Sequence, residues 1–387
     1  YLPVTKERAV NSGYQYKINS QVGQYIKVKF EILSMDGINT PKIAGYSVNY
    51  YRDTVNPLNP DVLGLSAKST STGGQDIQSD TWYNFPTPYF EWPQAEESSG
   101  ATDGANGSGI SGYYIYWGSD DSSDPYTEGT FQVANTFAPT SLVDSTEYHL
   151  RVRSVDLAGN LSDDIWQPFV YKYDSNGPSQ PSDLEADPSG YTANNNFEFS
   201  WEAVESSGAP VVSYCYKTGA TSGSYSSDQC ISTTAISDIP SYKIGTNIFS
   251  VRTKDAAGNY SNYSSVSYFY VDSEHAPAPP TNLTVNPVNN NSNSFGFNWD
   301  PPANGTFYGS VSNLSYLYSI NAVPTEYSTS ATSLTYLNPG AYATLPGENI
   351  FYIVTKDEAG NVNYNDYVSV RSEERRVGKE CRSRWLP

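Results

Sequence analysis

The residues of this chain best placed to do chemistry are three copies of Asp-x-Ala-Gly-Asn: Asp156-Leu-Ala-Gly-Asn160, Asp255-Ala-Ala-Gly-Asn259 and Asp357-Glu-Ala-Gly-Asn361. A carboxylate and a carboxamide oxygen four residues apart could ligate calcium. The same residues also specify a tight turn. Gly159, Gly258 and Gly360 would supply positive φ, and Asp156, Asp255 and Asp357 would accept backbone N–H bonds. Recurrence in three places fits turn geometry, so these nine residues are read as turns and no metal site or cofactor is assigned. Asp103-Gly-Ala-Asn-Gly-Ser-Gly109 lacks the alternating acids of a calcium loop and reads as a flexible glycine-rich insertion. Gly118-Ser-Asp-Asp-Ser-Ser-Asp124 reads as a solvated acidic loop.

Catalysis has little to stand on. The two histidines are His149, at an outward parity in an alternating run, and His275, in a proline-rich stretch. Neither is set beside a nucleophile and an orienting acid, as acyl transfer requires. No enzymatic site is expected. Cys215 and Cys230, 15 residues apart, form a candidate disulfide if the chain is exported, with free thiols as the alternative. The densest aromatic run, Tyr113, Tyr114, Tyr116 and Trp117, could stack on sugar rings, although alternation sends some of these side chains inward.

The polypeptide that must position these groups is acidic and rich in tyrosine. Its 387 residues carry 22 Lys and Arg against 41 Asp and Glu, a net charge of −19. Phosphate backbones would be repelled, which argues against nucleic acid as a partner. No apolar run approaches the roughly 18 residues needed to cross a bilayer. The start at Tyr1, without a methionine, reads as part of a longer product. Tyrosine numbers 34 against one methionine, a profile that suits half-exposed strands joined by turns.

A period of about one hundred residues organises the chain. Trp92, Trp201 and Trp299 each close a short alternating run, at steps of 109 and 98, and the three motif aspartates follow at steps of 99 and 102. Each period is large enough for its own core, so the repeat is a whole domain. Leu150, Phe249 and Phe351 occupy one inward position of a late strand, and Val152, Val251 and Ile353 the next. Pro-x-x-Pro-x-x-Leu recurs at Pro57–Leu63, Pro178–Leu184 and Pro277–Leu283 and reads as a semi-rigid linker whose leucine starts the next domain.

The early Trp, the Tyr-rich middle strand, the penultimate strand and the Asp-x-Ala-Gly-Asn turn resemble fibronectin type III repeats, an Ig-like β-sandwich family, in the form common in bacterial extracellular proteins. The resemblance implies an all-β chain of three tandem seven-stranded Greek-key sandwiches, with Trp92, Trp201 and Trp299 between the sheets and the motif joining the last two strands. The expected domains are 53–175, 176–274 and 275–370. A tyrosine-corner contact is expected at Tyr148 and is in doubt at Asn247 and Asn349. Residues 1–52, with alternating runs at 25–32 and 43–51, resemble the C-terminal end of a jelly-roll domain of the discoidin or lectin-like kind.

The last stretch, 371–387, holds six of the chain's basic residues and resembles a translated sequencing adapter, which would make it an artefact. The function expected from the family is that of a monomeric, non-catalytic spacer in a secreted or cell-surface protein. The alternative is a carbohydrate-binding or adhesive accessory module, with glycans or other surface proteins as partners.

Overall fold

The computed structural model describes residues 5–10, 13–17, 38, 53–105, 107–221, 223–290, 295–335 and 347–374. The runs at 25–32 and 43–51 lie outside the described residues. Thr5–Val10 and Gly13–Lys17 pair as an antiparallel hairpin.

From residue 53 the chain is built of β-sandwiches, each with a three-stranded and a five-stranded sheet. In the second sandwich Glu185–Asp187, Phe197–Ser200 and Ala235–Ile239 form the smaller sheet. The larger runs in the order Tyr191–Thr192, Ser264–Tyr270, Gly245–Asp255, Val211–Ala220 and Gln229–Ile231. The first and third sandwiches repeat this Greek-key order. Among the described residues each sandwich has eight strand segments where the resemblance implies seven, because its first strand is divided between the sheets. The second half pairs parallel with the last strand: Thr81–Tyr83 on Tyr171–Tyr173, Tyr191–Thr192 on Phe269–Tyr270, and Asn289–Asn290 on Glu373–Glu374.

Alternation selects the core. In Phe197–Ser200 the phenylalanines face inward and Glu198 and Ser200 outward. Trp92, Trp201 and Trp299 are buried, each meeting the middle-strand tyrosine edge-on: Tyr113 at 5.3 Å, Tyr214 at 5.6 Å and Tyr316 at 5.3 Å. Leu150, Phe249 and Phe351 are fully buried. Phe249 stacks on Phe199 at 3.9 Å and Phe351 on Phe297 at 4.0 Å. In the first sandwich the smaller Leu150 lies opposite Trp117, whose ring packs on Phe90 at 5.5 Å. Volume lost at one position is recovered at its neighbour, the kind of exchange a core tolerates.

By compactness the chain forms two units. One comprises Tyr1–Gly177, Ser206–Pro210 and Asp255–Asn259, and the other Pro178–Glu205, Val211–Lys254 and Tyr260–Pro387. The first therefore contains the first sandwich and two loops of the second sandwich's sequence. The final strand, Val368–Glu374, runs four residues into the basic stretch: Ser372 is buried and Arg371 pairs with Glu348 at 3.0 Å. No described helix is long and apolar enough to cross a membrane.

Candidate functional site

The three Asp-x-Ala-Gly-Asn segments follow one geometry. Each glycine has φ near +90°, and each asparagine N–H donates to the aspartate Oδ1, at 2.7 Å for Asn160, 2.8 Å for Asn259 and 2.7 Å for Asn361. Each asparagine Nδ2 donates to the other carboxylate oxygen, at 2.7, 3.0 and 3.1 Å. Any side chain, beginning with Cβ itself, would be strained at these glycines, and a residue other than asparagine would lose one of the paired bonds.

The asparagine carboxamide has a second use. Asn160 Nδ2 also donates to the carbonyls of Asp53 and Val55, at 3.4 and 3.3 Å. Asn259 Nδ2 reaches those of Asp174 and Asn176, at 2.9 and 3.3 Å, and Asn361 Nδ2 reaches Val271 O at 3.0 Å. Every target lies in the segment that enters the asparagine's own repeat. Asp174 is thereby held from two directions. Its N–H donates to Tyr83 O at 3.0 Å, its carbonyl accepts from Asn259, and its Oδ2 accepts from Ala209 N at 2.5 Å. Asn84 Nδ2 completes the joint by donating to Asn259 Oδ1 at 3.0 Å. Val271 repeats the pattern, with its N–H on Thr192 O at 3.0 Å and its carbonyl on Asn361.

The proline segments that follow are docked. Pro57, Pro60, Pro181, Pro277 and Pro280 are buried. Asn59 accepts from Ser154 N at 2.9 Å and Ser162 Oγ at 3.0 Å. In the first repeat the expected leucine is displaced. Leu63 is 88 % exposed in a 3-10 turn, Val62–Gly64, that Asp61 caps, and Leu65 packs on the core instead.

At the penultimate strand Tyr148 makes the corner contact, its Oη accepting from Val143 N at 2.5 Å. Asn247 makes a shorter version: its Oδ1 accepts from Lys243 N and its Nδ2 donates to Lys243 O, both at 2.8 Å. Asn349 Nδ2 donates to Gly347 O at 3.3 Å. At Asn247 two bonds from one carboxamide replace the reach of a phenol.

The other candidate groups fall into the framework. His149 lies on the face opposite Leu150, as its parity implies, but is buried there, with Glu147 at 3.4 Å and Gln167 at 3.3 Å. His275 closes the 3-10 turn Ser273–His275 and pairs with its capping residue Asp272 at 2.6 Å. Cys215 and Cys230 sit opposite each other in register, with sulfurs 2.02 Å apart. Tyr113 and Trp117 belong to the core, whereas Tyr114 lies on the outer face beside Tyr126 at 5.0 Å and Phe131 at 5.4 Å. Tyr126 is 50 % and Phe131 43 % exposed. The acidic loop below them is ordered: Ser122 and Ser123 hydrogen-bond Asp120 and hold its carboxyl down at about 2.

One grouping was not foreseen. The carboxylates of Asp53, Asp103 and Asp156 each offer an oxygen within 4.8 Å of the others. Asp103 and Asp156 are buried. Asp103 Oδ2 accepts from Gly109 N at 2.7 Å, while its Oδ1 is buried without a hydrogen-bond partner. Burial first, and then the charges of Asp53 and Asp156, push the Asp103 carboxyl above its ordinary value against the Gly109 N–H. The Ser108 hydroxyl and the Val55 N–H hold Asp53 below its own. The sequence signal was the extra length of the first repeat between Trp92 and Asp156, which the glycines of 103–109 masked as a flexible insertion.

No family model matches the chain. A 169-residue stretch is 30 % identical to exoglucanase B of Cellulomonas fimi and covers 42 % of this chain, but only 14 % of that protein's length. Among solved structures, the chicken CNTN1 FN1–FN3 domains align over 83 % of this chain and 100 % of theirs, at 15 % identity and TM-score 0.26. A two-domain fibronectin type III segment of chicken tenascin aligns over 50 % of this chain and 99 % of its own, at 16 % identity and TM-score 0.23. The strand order and the recurring core make this an all-β chain of tandem fibronectin type III-like sandwiches.

Proposed function

We propose that the chain is a non-catalytic accessory region of a secreted or cell-surface protein, a spacer that sets the separation of other modules. The modules taken are 53–175, 176–274 and 275–370. The observation that carries this reading is the joint at Asp174 and its counterpart at Val271. In each, a single residue donates its N–H to one strand and offers its carbonyl to the next repeat's turn asparagine. Such a joint leaves little chain to swivel, the property a spacer needs and a flexible tether lacks. A bridge between Cys215 and Cys230 fits an oxidising compartment.

A second reading is a glycan-binding accessory module. Two observations favour it: the exposed Tyr126 and Phe131 beside Tyr114, and the likeness to a protein named as an exoglucanase. Co-sedimentation of the full chain with insoluble cellulose, xylan and chitin separates the two. The spacer reading expects the chain to stay in the supernatant and the Tyr126→Ala variant to behave identically. Retention on any of these polysaccharides, abolished by Tyr126→Ala, would replace it with the second reading.

A further inference from the structure

We infer that Asp53, Asp103 and Asp156 form a calcium-binding site particular to the first sandwich, built by the insertion that the other two repeats lack. Three carboxylates with oxygens within 4.8 Å of one another concentrate negative charge where two of the side chains are almost fully out of water, Asp103 at 2 % and Asp156 at 2 % exposure. Buried carboxylates without a counter-charge are costly, and a group of them persists where a cation or protons neutralise it. No lysine, arginine or histidine is paired with any of the three among the described residues.

Hydrogen bonding within the turn and the entering segment does not account for the third acid. Each oxygen of Asp156 accepts one bond from Asn160, through Asn160 N and Nδ2, as in its counterparts Asp255 and Asp357, and each keeps a second lone pair for an ion. Asp53 accepts from Val55 N at 2.9 Å and Ser108 N at 2.6 Å, much as Asp174 accepts from Ala209 N. These two acids therefore serve the turn and the entering segment in the ordinary way of this fold. Asp103 serves neither. It is carried inward by residues that the other repeats do not have, and it leaves one oxygen without a donor. Among the described residues, no other trio of His, Cys, Asp or Glu comes together in this way.

The donors select the ion. They are hard carboxylate oxygens, with no imidazole or thiolate, which excludes the preferences of zinc and copper. The loop that carries Asp103 holds Gly104, Gly107 and Gly109, a backbone able to bring carbonyls and waters to an irregular shell of six to eight oxygens, as calcium accepts and magnesium resists. A bound ion would tie the segment at Asp53 to the turn at Asp156 and stiffen the entrance to the first sandwich.

The test is calorimetric titration of Ca²⁺ into the chelator-stripped full chain, with thermal unfolding followed in parallel. One saturable ion per chain is expected, with a raised unfolding midpoint. Asp103→Asn and Asp53→Asn, which keep side-chain shape, should each weaken binding at least about tenfold, while Asp76→Asn, an exposed acid elsewhere, should leave it unchanged. Circular dichroism of each variant establishes that it folds. Absence of saturable binding to the unmodified chain would overturn the inference, as would binding that Asp103→Asn leaves intact. The second result would assign the ion to the acidic surface at large.

Discussion

Trp201→Ala is expected to lower the unfolding midpoint of the second sandwich by more than about 10 °C and to leave the transitions of the first and third nearly in place. The indole is 5 % exposed, edge-on to Tyr214 and stacked near Phe249 at 6.1 Å, so its removal opens a cavity that close-packed aromatic neighbours cannot fill. Large-to-small changes of this kind cost about 3–5 kcal/mol. A domain of this size has only about 5–15 kcal/mol in total. The loss is confined because the buried clusters around Trp92, Trp201 and Trp299 are separate. Differential scanning calorimetry checks this directly. A uniform shift of all transitions would mean one shared core and would refute the modular reading.

Cys230→Ser should cost the second sandwich about 3 kcal/mol, the entropy of closing a loop of roughly 15 residues in the unfolded chain. Cys215 is fully buried on Val211–Ala220, directly across from Cys230 on Gln229–Ile231, so the link staples the larger sheet's edge strand to its neighbour. Denaturant unfolding of the variant, and of the unmodified chain with and without reductant, measures the effect. An unmodified chain indifferent to reductant would show that the sheet holds without the bond.

How much was legible in the sequence differs by the range of the interaction. In the alternating run that Trp201 closes, Phe197 and Phe199 share the parity of Trp201 and are buried with it while Glu198 is exposed, because a strand's period of two leaves no other assignment once one face is buried. The turn chemistry of Asp255, Gly258 and Asn259 was readable for the same local reason. What Asn259 does beyond its turn was not, since its partners Asp174 and Asn176 lie more than 80 residues earlier and are backbone carbonyls, which carry no residue-specific signal. The corner at Asn247 was hidden by chemistry: two amide bonds to Lys243 serve where Tyr148 uses one phenol. The divided first strand was missed because its second half is two or three residues long, too short for any periodicity. Asp103 is not legible as a buried acid because its glycine-rich setting reads as a flexible insertion, while the carboxylates beside it, Asp53 and Asp156, lie 50 and 53 residues away in sequence.

The most direct test of the spacer account is the distribution of distances between nitroxide labels at Ser237 and Ser328, both exposed and both in the second compact unit, with Cys381 replaced by serine. The account predicts a narrow distribution in the otherwise unmodified chain and a clear broadening in Asn361→Ala, which removes the carboxamide from the Val271 carbonyl. Equally broad distributions in both chains would contradict it, because the joint would then restrain nothing.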